Sequence, residues 1–202
     1  MRETIDNDTT ATSPTHSSPE ITVFHLDIDI SGTGMRYDVG SALGVYGHND
    51  RTETSRFLEW YGVPANTIVD NSWRGEQAAT AAANIVALQT AFRVFSQELD
   101  IFGRPTRDFY VALASHAKDP REAAQLAMIG NVSSARGAEQ FVEREDEGFT
   151  FADVLREFPS AHPSVDALIA LLPRIKPRHY SIASAQRAHR DAVHLLVVEV
   201  AW

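Results

Sequence analysis

The residues best suited to chemistry lie within eight positions near the C-terminal end, Pro177-Arg178-His179-Tyr180-Ser181-Ile182-Ala183-Ser184. An arginine offers a planar fork of donors that matches phosphate oxygens. A tyrosine offers a flat ring for stacking on another aromatic system. A serine hydroxyl both donates and accepts. In a β-strand Arg178 and Tyr180 share a face, while Ser181 points to the other and joins them only at a twist or a strand end. The set suits a ligand with a pyrophosphate and a flat ring. The same residues also suit an edge strand with one charged and one aromatic surface side chain, and the residue types alone leave both readings open.

Other sites are weaker. No phosphate-cradling G-x-x-x-x-G-K loop and no G-x-S-x-G nucleophile turn occurs. Gly32-Thr33-Gly34 has neither the third glycine nor the following helix of a dinucleotide loop, so it reads as a turn. His189 and His194 stand five apart with no H-E-x-x-H pattern, so surface or structural roles are expected rather than metal binding. The chain has no cysteine, which excludes disulfides, thiolate zinc sites and a cysteine nucleophile. With 18 Lys plus Arg against 27 Asp plus Glu, the net charge of −9 argues against a nucleic-acid partner. Apolar runs such as Ala167–Leu172 fall far short of the roughly 20 residues a membrane helix needs. No apolar segment follows the N-terminus, so the expected setting is cytoplasmic, with no membrane segment.

The elements that must position these residues follow from periodicity. Residues 1–20 are rich in Thr, Ser and Pro and read as a disordered lead-in. Phe24, Leu26, Ile28 and Ile30 alternate with His25, Asp27 and Asp29, a strand with one wet face. A second strand is expected at Leu43–Tyr46. The chain from about 52 to 172 reads as helical. Thr52–Tyr61 closes at Gly62 and Pro64; Asp70–Gln77 reads as a loop; Ile85, Leu88, Phe92, Phe95 and Leu99 have helical spacing. Phe109 and Leu113 mark the next helix. Asp119-Pro120-Arg121-Glu122 is a helix start, and Gly130 its stop. Ser133–Glu143, Thr150–Phe158 and Ser164–Leu172 are further helices, with the acidic run Glu143–Glu147 following the first of them. Arg178–Ser184 and Val193–Val200 return to strand, the latter so apolar that burial on both faces is expected. The plan is α+β: two strands, a helical block, two strands.

Arg178-His179-Tyr180-Ser181-Ile182-Ala183-Ser184 resembles the R-x-Y-S-[IL]-[AS]-S flavin motif of the NADPH-dependent diflavin reductases. The likeness continues at Tyr37-Asp38-Val39-Gly40-Ser41-Ala42-Leu43-Gly44-Val45, similar to the family's Y-x-x-G-[DE]-x-L-G-[IV], with Ser41 in place of the acidic residue. Leu99-Asp100-Ile101 followed by Pro105 is similar to a helix end in the family's connecting block. Phe149–Leu155, Phe158-Pro159-Ser160 and Val193–Trp202 look most like the sulfite reductase flavoprotein branch, with cytochrome P450 reductase as the alternative.

The resemblance implies a partial antiparallel flavin-binding β-barrel over residues 21–202, interrupted by an all-helical connecting block at about 52–172. It implies FAD as cofactor. Arg178 would contact the pyrophosphate, Tyr180 stack on the isoalloxazine and Ser181 bond near N5, with His179 between them. Leu196, Val197 and Val198 would line the flavin through their backbone, and Trp202 would lie near the adenine end. Electrons would pass from NADPH through FAD toward a sulfite reductase haemoprotein or another haem acceptor. NADPH and FMN would bind only through parts outside these 202 residues, which lack a Rossmann fingerprint. The expectation is thus a fragment, a truncated product or one piece of a split protein. A non-catalytic interaction module that has lost flavin chemistry is the competing reading.

Overall fold

The computed structural model describes residues 22–70 and 88–199. The lead-in at 1–20, most of the loop expected at 70–77, Ile85, Val200 and Trp202 lie outside them. The described chain forms two compact units that divide after Val45 and again after Pro177. No helix among the described residues is long and apolar enough to cross a membrane.

The first unit contains β1 (Thr22–Asp29), β2 (Ala42–Val45) and, from the far end of the sequence, β5 (Arg178–Ser181) and β6 (Ala192–Glu199). β1 pairs antiparallel with β6, and β2 pairs antiparallel with β5. A single rung, Ile182↔Leu195, ties the two pairs together. Among the described residues these strands form two small antiparallel sheets. Their core is Ile30, Tyr37, Val193 and Leu195, with Ile28, Leu43, Tyr180, Ile182 and Val197 packed against it. The Ser31–Gly34 segment is a turn, as its composition predicts, with Gly32 and Gly34 both at positive φ. The expectation that the last strand is buried on both faces is wrong. Val193 and Leu195 are buried, but Leu196 is 60% and Val198 52% exposed. Continuous apolarity here reflects one covered face and one uncovered face with similar residues.

The second unit holds α1 (Arg51–Tyr61), β3 (Ile68–Asp70), β4 (Leu88–Thr90), α2 (Ala91–Gln97), α3 (Arg107–Ala114), α4 (Pro120–Gly130), α5 (Ala135–Asp146), α6 (Phe151–Glu157) and α7 (Val165–Leu171). The block is therefore not all helical: β3 and β4 pair antiparallel inside it, and Asp70 belongs to β3 rather than to a loop. Helix ends follow capping chemistry. Asp50 accepts from the Thr52 and Glu53 amides, Asp119 from that of Arg121, and Thr150 and Asp153 form a reciprocal capping box. Gly62 ends α1 in the left-handed conformation. Gly130 is the last residue of α4, and Asn131 caps it.

Two more expectations need correction. The helical spacing from Ile85 to Leu99 does not mark one helix. Thr90 caps a short α2 by accepting from the Arg93 amide. Leu88 lies before it on β4, 68% exposed, and Leu99 lies after it, bridged to Arg174. The acidic run does not follow α5 but forms its last turns, because Arg144 within that run is held by a bidentate bond to Glu157 of α6.

Close packing of α4 on α5 is set at Gly137. A Cβ there would stand 1.9 Å from the Met128 carbonyl oxygen. Gly137→Ala should therefore destabilise the helical unit by about 1–3 kcal/mol, more than alanine's helix preference returns. Urea unfolding measures it; equal stability of the variant would mean α4 and α5 are not in that contact.

Candidate functional site

β5 carries the motif because β2 fixes its register: Val45↔Arg178, Gly44↔His179, Leu43↔Tyr180, Ala42↔Ser181. Directly opposed residues share a face. Arg178, Tyr180, Leu43 and Val45 thus occupy one face, and His179 and Ser181 the other. Arg178, His179 and Ser181 are exposed, whereas Tyr180 is half-buried against the small core. The structure brings Arg178 and Tyr180 onto one face and leaves Ser181 on the opposite one, at the end of the strand.

Ser41, where the family pattern has an acidic residue, closes the turn before β2. Its hydroxyl accepts from the Asp38 amide at 3.2 Å, and its carbonyl accepts from the Ile182 amide at 3.0 Å.

β6 pairs with β1 through Val23↔Val198, Phe24↔Val197 and His25↔Leu196. On its other side the His194 carbonyl accepts from the Ala183 amide at 2.8 Å, and the His194 amide donates to Ser184 Oγ at 3.0 Å. Backbone groups alternate sides with a period of two. Those of Leu196 and Val198 therefore turn the same way as those of His194, away from β1. Among the described residues no strand ladder continues along that edge past the Ile182↔Leu195 rung. The candidate residues of β5 and β6 flank this rung. Trp202 lies outside the described residues.

Two residues absent from the sequence-based candidates are buried beside the rung, Tyr37 and Ser184, each 8% exposed. Their hydroxyls lie 2.8 Å apart. Both sit in segments singled out above, but only the folded chain brings them together. His194 touches the His25 ring edge-on at 5.1 Å between centroids and the His189 ring at 4.2 Å, with its Nε2 3.7 Å from Asp27. Among the described residues no three His, Asp or Glu side chains are grouped as a metal site.

The FAD binding domain family matches residues 10–202. The chain belongs to that family. FAD is accordingly the cofactor of this FAD-binding domain. It is 38% identical over 181 residues to the "Probable sulfite reductase [NADPH] flavoprotein component" of Schizosaccharomyces pombe. It is 35% identical over 185 residues to the "Sulfite reductase [NADPH] flavoprotein component" of Saccharomyces cerevisiae. It is 30% identical over 182 residues to the "NADPH--cytochrome P450 reductase" of Oryctolagus cuniculus. Each comparison covers 89% of the chain. The chain spans 17% of the length of the two yeast relatives and 26% of the rabbit one.

The side chains of the motif differ in burial. Tyr180→Ala removes a half-buried ring from a small core and should cost about 1–3 kcal/mol of stability. Ser181→Ala, on the exposed side, should change stability by less than about 0.5 kcal/mol. Denaturant titration of the two variants checks this; equal losses would mean that Ser181 is packed as Tyr180 is.

Proposed function

We propose that this FAD-binding domain is the FAD-binding and connecting region of an NADPH-dependent flavoprotein oxidoreductase of the sulfite reductase type. Electrons pass from NADPH through FAD toward a haemoprotein partner. The observation that carries the reading is the presentation of Arg178 and Ser181, both exposed, on β5 beside the outer edge of β6, along which no strand ladder among the described residues runs past the Ile182↔Leu195 rung toward Val198. That donor set fits FAD: a cation fork for phosphate, a ring to stack, a hydroxyl, and backbone groups along an edge. The higher identities to the two sulfite reductase components than to the P450 reductase favour the sulfite reductase branch.

In this reading residues 21–202 form one domain. β1, β2, β5 and β6 belong to an antiparallel flavin-binding barrel, and the block at about 52–172 is inserted in it. The rung joining the two strand pairs supports that view. We place the protein in the cytoplasm, in keeping with its cysteine-free sequence.

FAD, when bound, supplies the hydride and one-electron chemistry. The chain's residues bind and orient it. Arg178 neutralises and grips the pyrophosphate. Tyr180 would stack on the isoalloxazine. Ser181 would offer a hydrogen bond near N5, with His179 alongside. Of the β6 candidates, Leu196 and Val198 would line the ring through their outward-turned backbone, whereas the backbone of Val197 faces its partner Phe24 on β1 and is not available for that role. Trp202, which the resemblance assigns to the adenine end, lies outside the described residues. NADPH, FMN and the haemoprotein are engaged by other parts of the enzyme.

The test is FAD titration followed by flavin fluorescence. Loss of a charge-assisted bidentate contact is worth about 1.5–3 kcal/mol, so Arg178→Ala should weaken FAD roughly ten- to hundredfold. Arg178→Lys should recover only part of that, because a lysine cannot reproduce the fork. Equal affinities of wild type and Arg178→Ala would overturn the assignment.

A further inference from the structure

The connection from β5 to β6 is held by a chain of side-chain hydrogen bonds that the flavin reading does not use. The His194 amide donates to Ser184 Oγ at 3.0 Å. Ser184 Oγ and the Tyr37 phenol oxygen are 2.8 Å apart, and the phenol donates to the Ala192 carbonyl at 2.8 Å. Each hydroxyl carries one proton. If the phenol proton goes to Ala192, the Ser184 proton must go to the phenol oxygen, which leaves Ser184 free to accept from His194. The order is thus His194 N–H to Ser184, Ser184 to Tyr37, Tyr37 to the Ala192 carbonyl. Every donor is used, and the bonds polarise one another in one direction. Gln186 adds a strap: its carbonyl oxygen accepts from the Tyr37 amide at 3.0 Å, and its amide donates to the Met35 carbonyl at 3.1 Å.

This chain lies where strand pairing stops. Ala192 and His194 are at the start of β6, with backbone groups turned away from β1, and among the described residues the strand pairing that joins β5 to β6 there is the Ile182↔Leu195 rung, of which the Ala183–His194 backbone bond is part. Two buried hydroxyls stand in for the missing ladder. They fix where Ser181 sits along β6 and thus where Leu196 and Val198 present their backbone groups.

Resting on the flavin-site reading above, we propose that Tyr37 and Ser184 are positioning residues for FAD: their linked hydroxyls hold the flavin-facing parts of β5 and β6 in alignment without touching the cofactor. Removing either hydroxyl leaves buried groups unpaired. Because the two act as one unit, their effects should not add.

The experiment is FAD titration of the 202-residue chain, wild type against Tyr37→Phe, Ser184→Ala, the double variant and Arg178→Ala. The affinity and the residual flavin fluorescence at saturation are both read. Tyr37→Phe and Ser184→Ala should each lower affinity roughly tenfold, and the double variant should be no worse than twofold beyond either single. Residual fluorescence at saturation should rise in all three, because a misaligned Tyr180 quenches the flavin less; a purely structural role would leave that amplitude unchanged. Amide exchange without FAD should also quicken at Ala183 and His194 in each variant. That readout stands even where a variant binds FAD too weakly to saturate.

The outcomes separate the two claims. Unchanged affinity in Arg178→Ala, or no binding by the wild type, overturns the flavin-site reading and this inference with it. Weakened binding in Arg178→Ala, with unchanged affinity and residual fluorescence in Tyr37→Phe and Ser184→Ala, overturns this inference alone. Unchanged exchange at Ala183 and His194 also overturns it.

Discussion

The strand unit depends on one long-range pairing. β1 and β6 meet over eight rungs, from Thr22↔Glu199 to Asp29↔Ala192. Joining segments so far apart in sequence carries a loop-closure cost before any contact is gained. What offsets it is the burial of Val193 and Leu195 with Ile30 and Tyr37, against which Ile28 and Val197 pack, while Phe24 and Leu26 stay exposed. Once β6 is fixed against β1, its other edge is directed toward Ala183 and Ser184, and β5 is drawn alongside. A register slip of one residue would put Val193 and Leu195 on the outer face and the His194 backbone out of reach. The alignment of β5 is thus a consequence of where β6 pairs.

The helical unit has a comparable tie. Asn49 donates through its side-chain amide to the carbonyls of Phe95 and Leu99, each at 2.7 Å. The Asp100 amide donates to the Pro173 carbonyl, and the Ile175 amide to that of Glu98. The segment Leu99–Ile101, noted in the sequence only as a helix end, is the seam between the end of α2 and the stretch that precedes β5. α1 and the segment after α6 are joined by the buried Tyr61, whose hydroxyl donates to the Pro163 carbonyl at 2.7 Å while its ring stacks on His162.

Local chemistry was legible in the sequence; non-local pairing was not. Asp119-Pro120, Thr150 and Gly62 each mark a helix end locally, and the structure has ends at those places. Period-two alternation likewise put Arg178 and Tyr180 on one face of β5 and Ser181 on the other. The helical spacing at Ile85–Leu99 misled because Phe92, Phe95 and Leu99 all pack in or on one core although only two of them belong to α2. The apolar β6 misled because the pattern cannot distinguish a covered face from an uncovered one. The Tyr37–Ser184 contact spans 147 positions, and nothing in either local sequence marks the partner.

The central claim is that the flavin lies along β5 and the outer edge of β6. Amide hydrogen exchange with and without FAD tests it most directly. The account predicts added protection at residues 178–181 and at Leu196 and Val198 on addition of FAD, with α3, α4 and α5 unchanged. Protection confined to the helical unit, or none at Leu196 and Val198, would contradict it.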